Sequence, residues 1–313
     1  MSSCVGMLTA AVSLLILFPA GAHGLRRFRL VRRQRSAAVL VKLGGSAVTE
    51  KAVFETVHEA RLEAAAKAVG QGQQVIVVHG AGSFGHFQAK KYGVSKGTSD
   101  PSFCWQGFAE TRSSVTRLNA LVVSALLRQS VPAVGLPPFP RWTTRGRGVV
   151  DRSAVDEVRA TLDEGLTPVL HGDAVLDRIS GTSILSGDVL MRRLAAELKP
   201  RLAVFVTDVA GVFTRPPNEP GAALLCRILV DRRGAIVACH AKSDEAVSSA
   251  NTGAPSMTTA AHDVTGGIAA KVDCACNIAA DGTKVVIVEV GTVHAEAAMR
   301  GEIPEVCTVV ERE

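Results

Sequence analysis

Three glycine-rich segments, two of them carrying lysine, are the residues of this sequence best suited to chemistry. They are Lys42-Leu-Gly-Gly-Ser46, His79-Gly-Ala-Gly-Ser-Phe-Gly-His86 and Thr265-Gly-Gly-Ile-Ala-Ala-Lys271. Glycine lets backbone N–H groups come close to an anion, and lysine adds a mobile positive charge. One such turn is commonplace, whereas three together suggest a shared polyphosphate site. Gly80, Gly82 and Gly85 also satisfy G-x-G-x-x-G, which makes a dinucleotide-binding fold the rival. Against it, no acid ends the following strand, since Asp100 lies in a polar loop. A Walker A loop is absent from the chain.

The elements that must hold these segments alternate. Ala37–Lys42, Gln74–Val78, Val131–Gly135, Thr167–His171, Leu202–Thr207, Lys284–Val288 and Cys307–Val310 read as short apolar strands. Between them, Phe54–Val69, Gln106–Arg128, Ala154–Leu162, Ser186–Leu198, Gly267–Ala280 and His294–Arg300 read as helices. Such βα repetition predicts a three-layer α/β/α sandwich with a mainly parallel central sheet. Loops at Arg215–Pro220 and Ser248–Ala261 surround a weaker hairpin at Arg227–Val237, making about 213–262 a candidate lid. In such sheets ligands bind at the carboxyl ends of the strands, where the glycine segments fall.

Composition agrees with a globular α/β chain: 313 residues, 47% hydrophobic, 29 glycines and only 4% aromatic. The net charge of +6 is matched by six arginines, with no lysine or acid, within residues 1–36 (Arg26, Arg27, Arg29, Arg32, Arg33, Arg35). The rest is near neutral, which argues against a polyanion-binding surface such as one for nucleic acid. Val5–Ala22 is an apolar run ending in small residues and followed by those arginines. It reads as a signal-like leader, residues 1–36, addressed to a plastid through the secretory route; an uncleaved endoplasmic reticulum anchor or a cytoplasmic location is the alternative. The folded body then spans 37–313. The seven cysteines (Cys4, Cys104, Cys226, Cys239, Cys274, Cys276, Cys307) are scattered. They read as free thiols rather than a disulfide framework or a metal site, and imply a reducing compartment.

Taken in order, V-K-L-G-G-S followed by Lys51, H-G-A-G-S-F-G-H-F, the L-S-G-D of Leu185–Asp188, the V-T-D-V-A-G-V-F of Val206–Phe213 and D-V-T-G-G-I-x-x-K resemble the isopentenyl phosphate kinases of the amino acid kinase superfamily. The resemblance runs from about Val39 to Glu311 and is nearer to plant-type members, with Ala81 where archaeal ones usually carry a third glycine. It implies a homodimeric kinase that uses ATP and Mg²⁺ to phosphorylate isopentenyl phosphate; the alternatives are a relative acting on a carboxylate, carbamate or nucleoside monophosphate, and a noncatalytic nucleotide-binding sensor on the same fold. Lys42, Leu43, Gly44, Gly45, Ser46, Gly82, Asp208, Gly267 and Lys271 are then the ATP-binding positions. Ala81, Gly85, His86, Gly187 and Asp188 flank the acceptor, and Lys42, Lys51 and His86 are catalytic. A phosphate acceptor is already charged near neutral pH, its second pKa being about 6, so His86 orients and stabilises rather than acting as a base. No side-chain metal site is implied. Asp173 is a further candidate for orienting lysines, with a helix cap as the plain alternative for every such acid. His79 and His171 read as packing residues rather than ligands. Phe103, Trp105 and Phe108 read as helix core, or as part of a wall around the isoprenoid tail.

Overall fold

Runs of valine, isoleucine and leucine long enough for five or six extended residues, with apolar character on both sides, have to be covered on both faces. The computed structural model describes residues 38–72, 74–97, 101–146, 148–241 and 267–313. The chain opens with β1 (Val39–Leu43), the single-turn α1 (Gly45–Val48), α2 (Glu59–Val69), β2 (Val75–His79), α3 (Gly82–Lys91) and α4 (Pro101–Arg128). It continues through β3 (Ala133–Gly135), β4 (Thr143–Thr144), β5 (Val150–Arg152), α5 (Val155–Asp163), β6 (Thr167–His171), β7 (Asp173–Asp177), β8 (Gly181–Leu185) and α6 (Gly187–Leu198). The last third holds β9 (Leu202–Thr207), β10 (Val212–Phe213), β11 (Leu224–Val230), β12 (Ile236–Ala241), α7 (Gly267–Ala280), β13 (Val285–Glu289), α8 (Val293–Met299) and β14 (Thr308–Arg312).

The main sheet has the order β10-β11-β14-β13-β9-β1-β2-β6-β3, with β12 paired to β11. Its centre, from β13 to β3, is parallel throughout. Alternate residues of β1 enter different clusters: Val39, Val41 and Leu43 pack below with α2, α4 and α8, while Leu40 packs above with α5, α6 and α7. Each such side chain gains roughly 1.5–3 kcal/mol from burial. This is the three-layer sandwich expected. β14 runs antiparallel to β13, so it finishes at Arg312 on the edge where β1 begins.

Three local readings differ. Phe54–His58 is not helical: Glu55 sits at φ 49°, and the His58 ring caps α2 by accepting the Arg61 N–H, so the helix starts only at Glu59. α4 starts earlier than expected, at Pro101, because proline is well suited to a first helical turn. The glycine stretch after β2 is not a loop but the start of α3. A second sheet, β5-β4-β7-β8, was not foreseen, its strands being short and partly polar. The β11–β12 hairpin forms with a longer span than expected. The lid segment Ser248–Ala261 and the leader lie outside the described residues. Among the described residues no helix is long and apolar enough to cross a membrane, and Cys104, Cys226, Cys239, Cys274, Cys276 and Cys307 are all free thiols.

Candidate active site

Register alone gathers the candidate residues. Leu43 of β1 pairs with His79 of β2 and with Val206 of β9, His79 pairs with His171 of β6, and Thr207 pairs with Glu289 of β13. The carboxyl ends of these parallel strands therefore form one row, and each is followed by a turn on the same side. The first two turns touch through their backbones. A Cβ at Gly45 would stand 2.9 Å from Gly82 Cα, so neither position has room for a side chain. Gly82 itself has φ +49°, and a Cβ there would meet Thr49 Oγ1 at 2.1 Å. Thr49 fills that space for a reason: its hydroxyl donates to Gly45 O at 2.8 Å and accepts the Ser83 N–H at 3.2 Å, tying the two turns together. α6 closes in from the other face, with its first residue, Gly187, packed against Lys42 Cε and His79 O.

Charge converges on the same place. Lys42 is 8% exposed; its Nζ lies 2.7 Å from Asp188 Oδ1 and over the Phe205 ring. Lys271, equally buried, donates to Thr207 Oγ1 at 2.6 Å. Burial and the neighbouring Lys42 bring the Lys271 pKa down to about 8, while Asp208 and Asp188 oppose the shift. Asp208 accepts from Ser46 Oγ at 3.2 Å and Thr207 Oγ1 at 3.0 Å. Partial burial acts to raise its pKa, but its own N–H, these hydroxyls and the Lys51 charge together lower it. Lys51 and His86 are exposed at the mouth. The His86 pKa is lowered, first by the protein atoms crowding the ring and then by the Lys51 ammonium. The Lys51 charge is therefore felt at the imidazole, and both effects disfavour its cationic form.

On the β2 side, Ala81 has ordinary helical angles and needs no glycine. It does require Gly85, since a Cβ there would lie 2.5 Å from Ala81 Cβ. Leu43 is wholly buried and faces the core, so only its backbone borders the site. Gly267 opens α7, whereas Thr265 and Gly266 of the same motif lie outside the described residues. Asp173 is not paired with a lysine: it is buried against Arg112 at 3.2 Å and accepts the Phe139 N–H at 3.3 Å. Its pKa is raised by burial, with His171 and Arg112 opposing. Trp105 is half exposed and Phe108 buried; the two rings pack edge to face, and Phe108 packs in turn on Phe139. Thr49, Thr207, Phe205 and Arg112 were missed in the sequence. Thr207 could have been found, because it precedes Asp208 at the end of an obvious strand. A separate cleft of about 260 Å³ between Leu136, Trp142 and Val158 shares no residue with this edge.

Glycine turns, three lysines and two acids on one sheet edge suit a polyphosphate and its transfer. Residues 37–289 match the model of the amino acid kinase family. An isopentenyl phosphate kinase from Arabidopsis thaliana is 39% identical, aligned over 87% of this chain and 92% of that protein. The chain belongs to the amino acid kinase family, among its isopentenyl phosphate kinases. A second such kinase, from Methanothermobacter thermautotrophicus, is 36% identical over 60% of this chain and 73% of its own length. Among solved structures, one described as isopentenyl phosphate kinase superposes with a TM-score of 0.70 at 29% identity, covering 87% of this chain and 99% of that one. As in other amino acid kinases, ATP is the phosphoryl donor.

Proposed function

We propose that this chain transfers the γ-phosphoryl group of ATP to isopentenyl phosphate, giving isopentenyl diphosphate and ADP. The observation that carries the reading is the gathering of Lys42 and Lys271 beside touching glycine turns, with the Lys51 charge acting on Lys271, Asp208 and His86. In this assignment the N–H groups of Gly44, Gly45 and Ser46 and the ammonium of Lys42 hold the β- and γ-phosphates. Gly82, Gly267, Asp208 and Lys271 complete the nucleotide site, and Lys51 meets the transferring group. Ala81, Gly85, Gly187 and Asp188 border the acceptor phosphate, which His86 orients by donating a hydrogen bond. An acceptor phosphate with second pKa about 6 is already a nucleophile at neutral pH. No general base is needed, and the protein's task is to align two anions and offset their charge.

Asp188 and Asp208 are the hard oxygen donors at this edge, and no cluster of three His, Cys, Asp or Glu occurs among the described residues. That donor set fits Mg²⁺, which is usually held by one or two carboxylates and by substrate phosphates. When bound, the ion would neutralise developing phosphate charge. The deciding experiment is an assay of ADP release by the full chain with isopentenyl, dimethylallyl and geranyl phosphates and with nucleoside monophosphates. Turnover of isopentenyl phosphate is expected, and turnover of a nucleoside monophosphate alone would overturn the assignment. The same reading makes the protein a homodimer, with residues 1–36 as a plastid leader ahead of the kinase domain and 213–262 as a lid. Light scattering showing only monomer, or a diffuse cytosolic signal from a fluorescent fusion of residues 1–36, would defeat the first two parts.

A further inference from the structure

Two histidines with no part in the phosphoryl transfer proposed above lie side by side beneath the acceptor turns. The rings of His79 and His171 are stacked, centroids 5.4 Å apart and planes inclined by 25°, and both residues are 0% exposed. Each makes the same local bond: Nδ1 lies 3.0 Å from the carbonyl oxygen of the next residue, Gly80 or Gly172. A carbonyl only accepts, so Nδ1 carries the hydrogen in both rings and Nε2 is left as an acceptor. In His79 that acceptor takes the Asn119 amide at 3.1 Å. In His171 it has no protein partner among the described residues. An orphaned buried nitrogen costs free energy that an apolar ring would not, so packing alone does not account for the residue.

The two carbonyls matter because each fixes the backbone that follows its histidine. In a planar trans peptide the N–H points opposite to the C=O. Drawing Gly80 O toward the His79 ring therefore turns the Ala81 N–H away from it. A Cβ at Gly172 would lie 3.7 Å from Ala81 N and 3.5 Å from Gly187 N, so Gly172 lies against the nitrogens of both acceptor turns. The N–H across its own peptide is that of Asp173, so the His171 bond acts by placing Gly172 and not by turning either of those amides. We propose that His79 and His171 are positioning residues for the acceptor phosphate: the His79 bond sets the peptide that presents the Ala81 N–H, and the His171 bond fixes Gly172, whose backbone seats the Ala81 and Gly187 nitrogens beside it. Neither ring needs to change charge for this. Burial, with His171 as neighbour, keeps the His79 pKa at about 3, and burial lowers that of His171.

The inference rests on the acceptor assignment made above, and its test separates the two. Steady-state kinetics of the full chain with both substrates should show His171→Leu raising the KM for isopentenyl phosphate about tenfold, the size of one net hydrogen bond, with the KM for ATP within about twofold of the unmodified protein. His171→Asn, whose amide can donate from the place of Nδ1, should recover most of that loss. Both KM values rising together, or Asn faring no better than Leu, would overturn the proposal. Should the leucine variant not fold, ¹⁵N imidazole spectra of the unmodified protein remain decisive. Both rings are expected as neutral Nδ1–H tautomers at pH 7.5, and an Nε2–H tautomer in either ring would refute the idea. Failure of the unmodified protein to phosphorylate isopentenyl phosphate would sink the functional assignment, while the ring tautomers would still test the positioning.

Discussion

The two halves of the sheet edge solve different problems. At β9 and α7 the polar groups sit on long stems or bond to side-chain hydroxyls: Lys271 donates to a threonine hydroxyl, and Asp208 accepts from two hydroxyls. At β2, β6 and the start of β7 they are buried and fixed by several partners, as in the stacked histidines bonded to backbone carbonyls and Asp173 paired with Arg112 of α4. Lys42 links the halves through Asp188. A highly charged ligand that comes and goes is met by movable charge, whereas a small acceptor that must be aligned is met by fixed shape.

If that division is right, the largest single loss should come at the link. Lys42→Met should cut kcat by about a thousandfold, comparable to removing a charge-stabilising donor, with the fold retained by circular dichroism. A loss under about tenfold would mean that Lys42 does not meet the transferring charge. On the fixed side, Arg112→Met leaves Asp173 buried without its cation, and should lower unfolding free energy by about 3 kcal/mol in urea titrations. An unchanged midpoint would show the acceptor half to be less rigid than drawn. His86→Ala should lower kcat/KM for the acceptor about a hundredfold while sparing ATP binding. Equal loss toward both substrates would erase the distinction between the halves.

The smallest effect is on pH. Lys271 is cationic only below about 8, so kcat/KM for ATP should fall as pH rises through that value. Lys271→Arg should abolish that limb; a profile flat to pH 9.5 in the unmodified protein would contradict the burial of this ammonium. The linked stability has the opposite sign. Between about 8 and the ordinary lysine value of 10.5 the unfolded chain binds the proton more tightly, so this group makes the free protein more stable as pH rises.

The sequence disclosed the movable half better than the fixed one. Lys42, Lys51, Asp208 and Lys271 stand next to glycine turns at strand ends, and both the pattern and the family resemblance pointed to them. Asp173 looked like a lysine-orienting acid, because nothing local signals Arg112, which lies 61 positions earlier on α4. Likewise His79 and His171 read as packing residues, since the orphaned Nε2 and the stacking arise only when β2 and β6 pair. The start of α3 was hidden because glycines disfavour helix by propensity; here close approach to Gly45 demands them and tertiary contact prevails. The small sheet escaped for a related reason: two- and three-residue strands such as Thr143–Thr144 and Val150–Arg152 leave no periodicity to read.

The antiparallel course of β14 has a practical side. It carries Arg312 to the margin where β1 begins, the length of a strand away from the glycine turns. A bead, a dye or a second enzyme coupled after Glu313 would thus hang from the molecule's back, leaving its mouth open to small phosphates in solution.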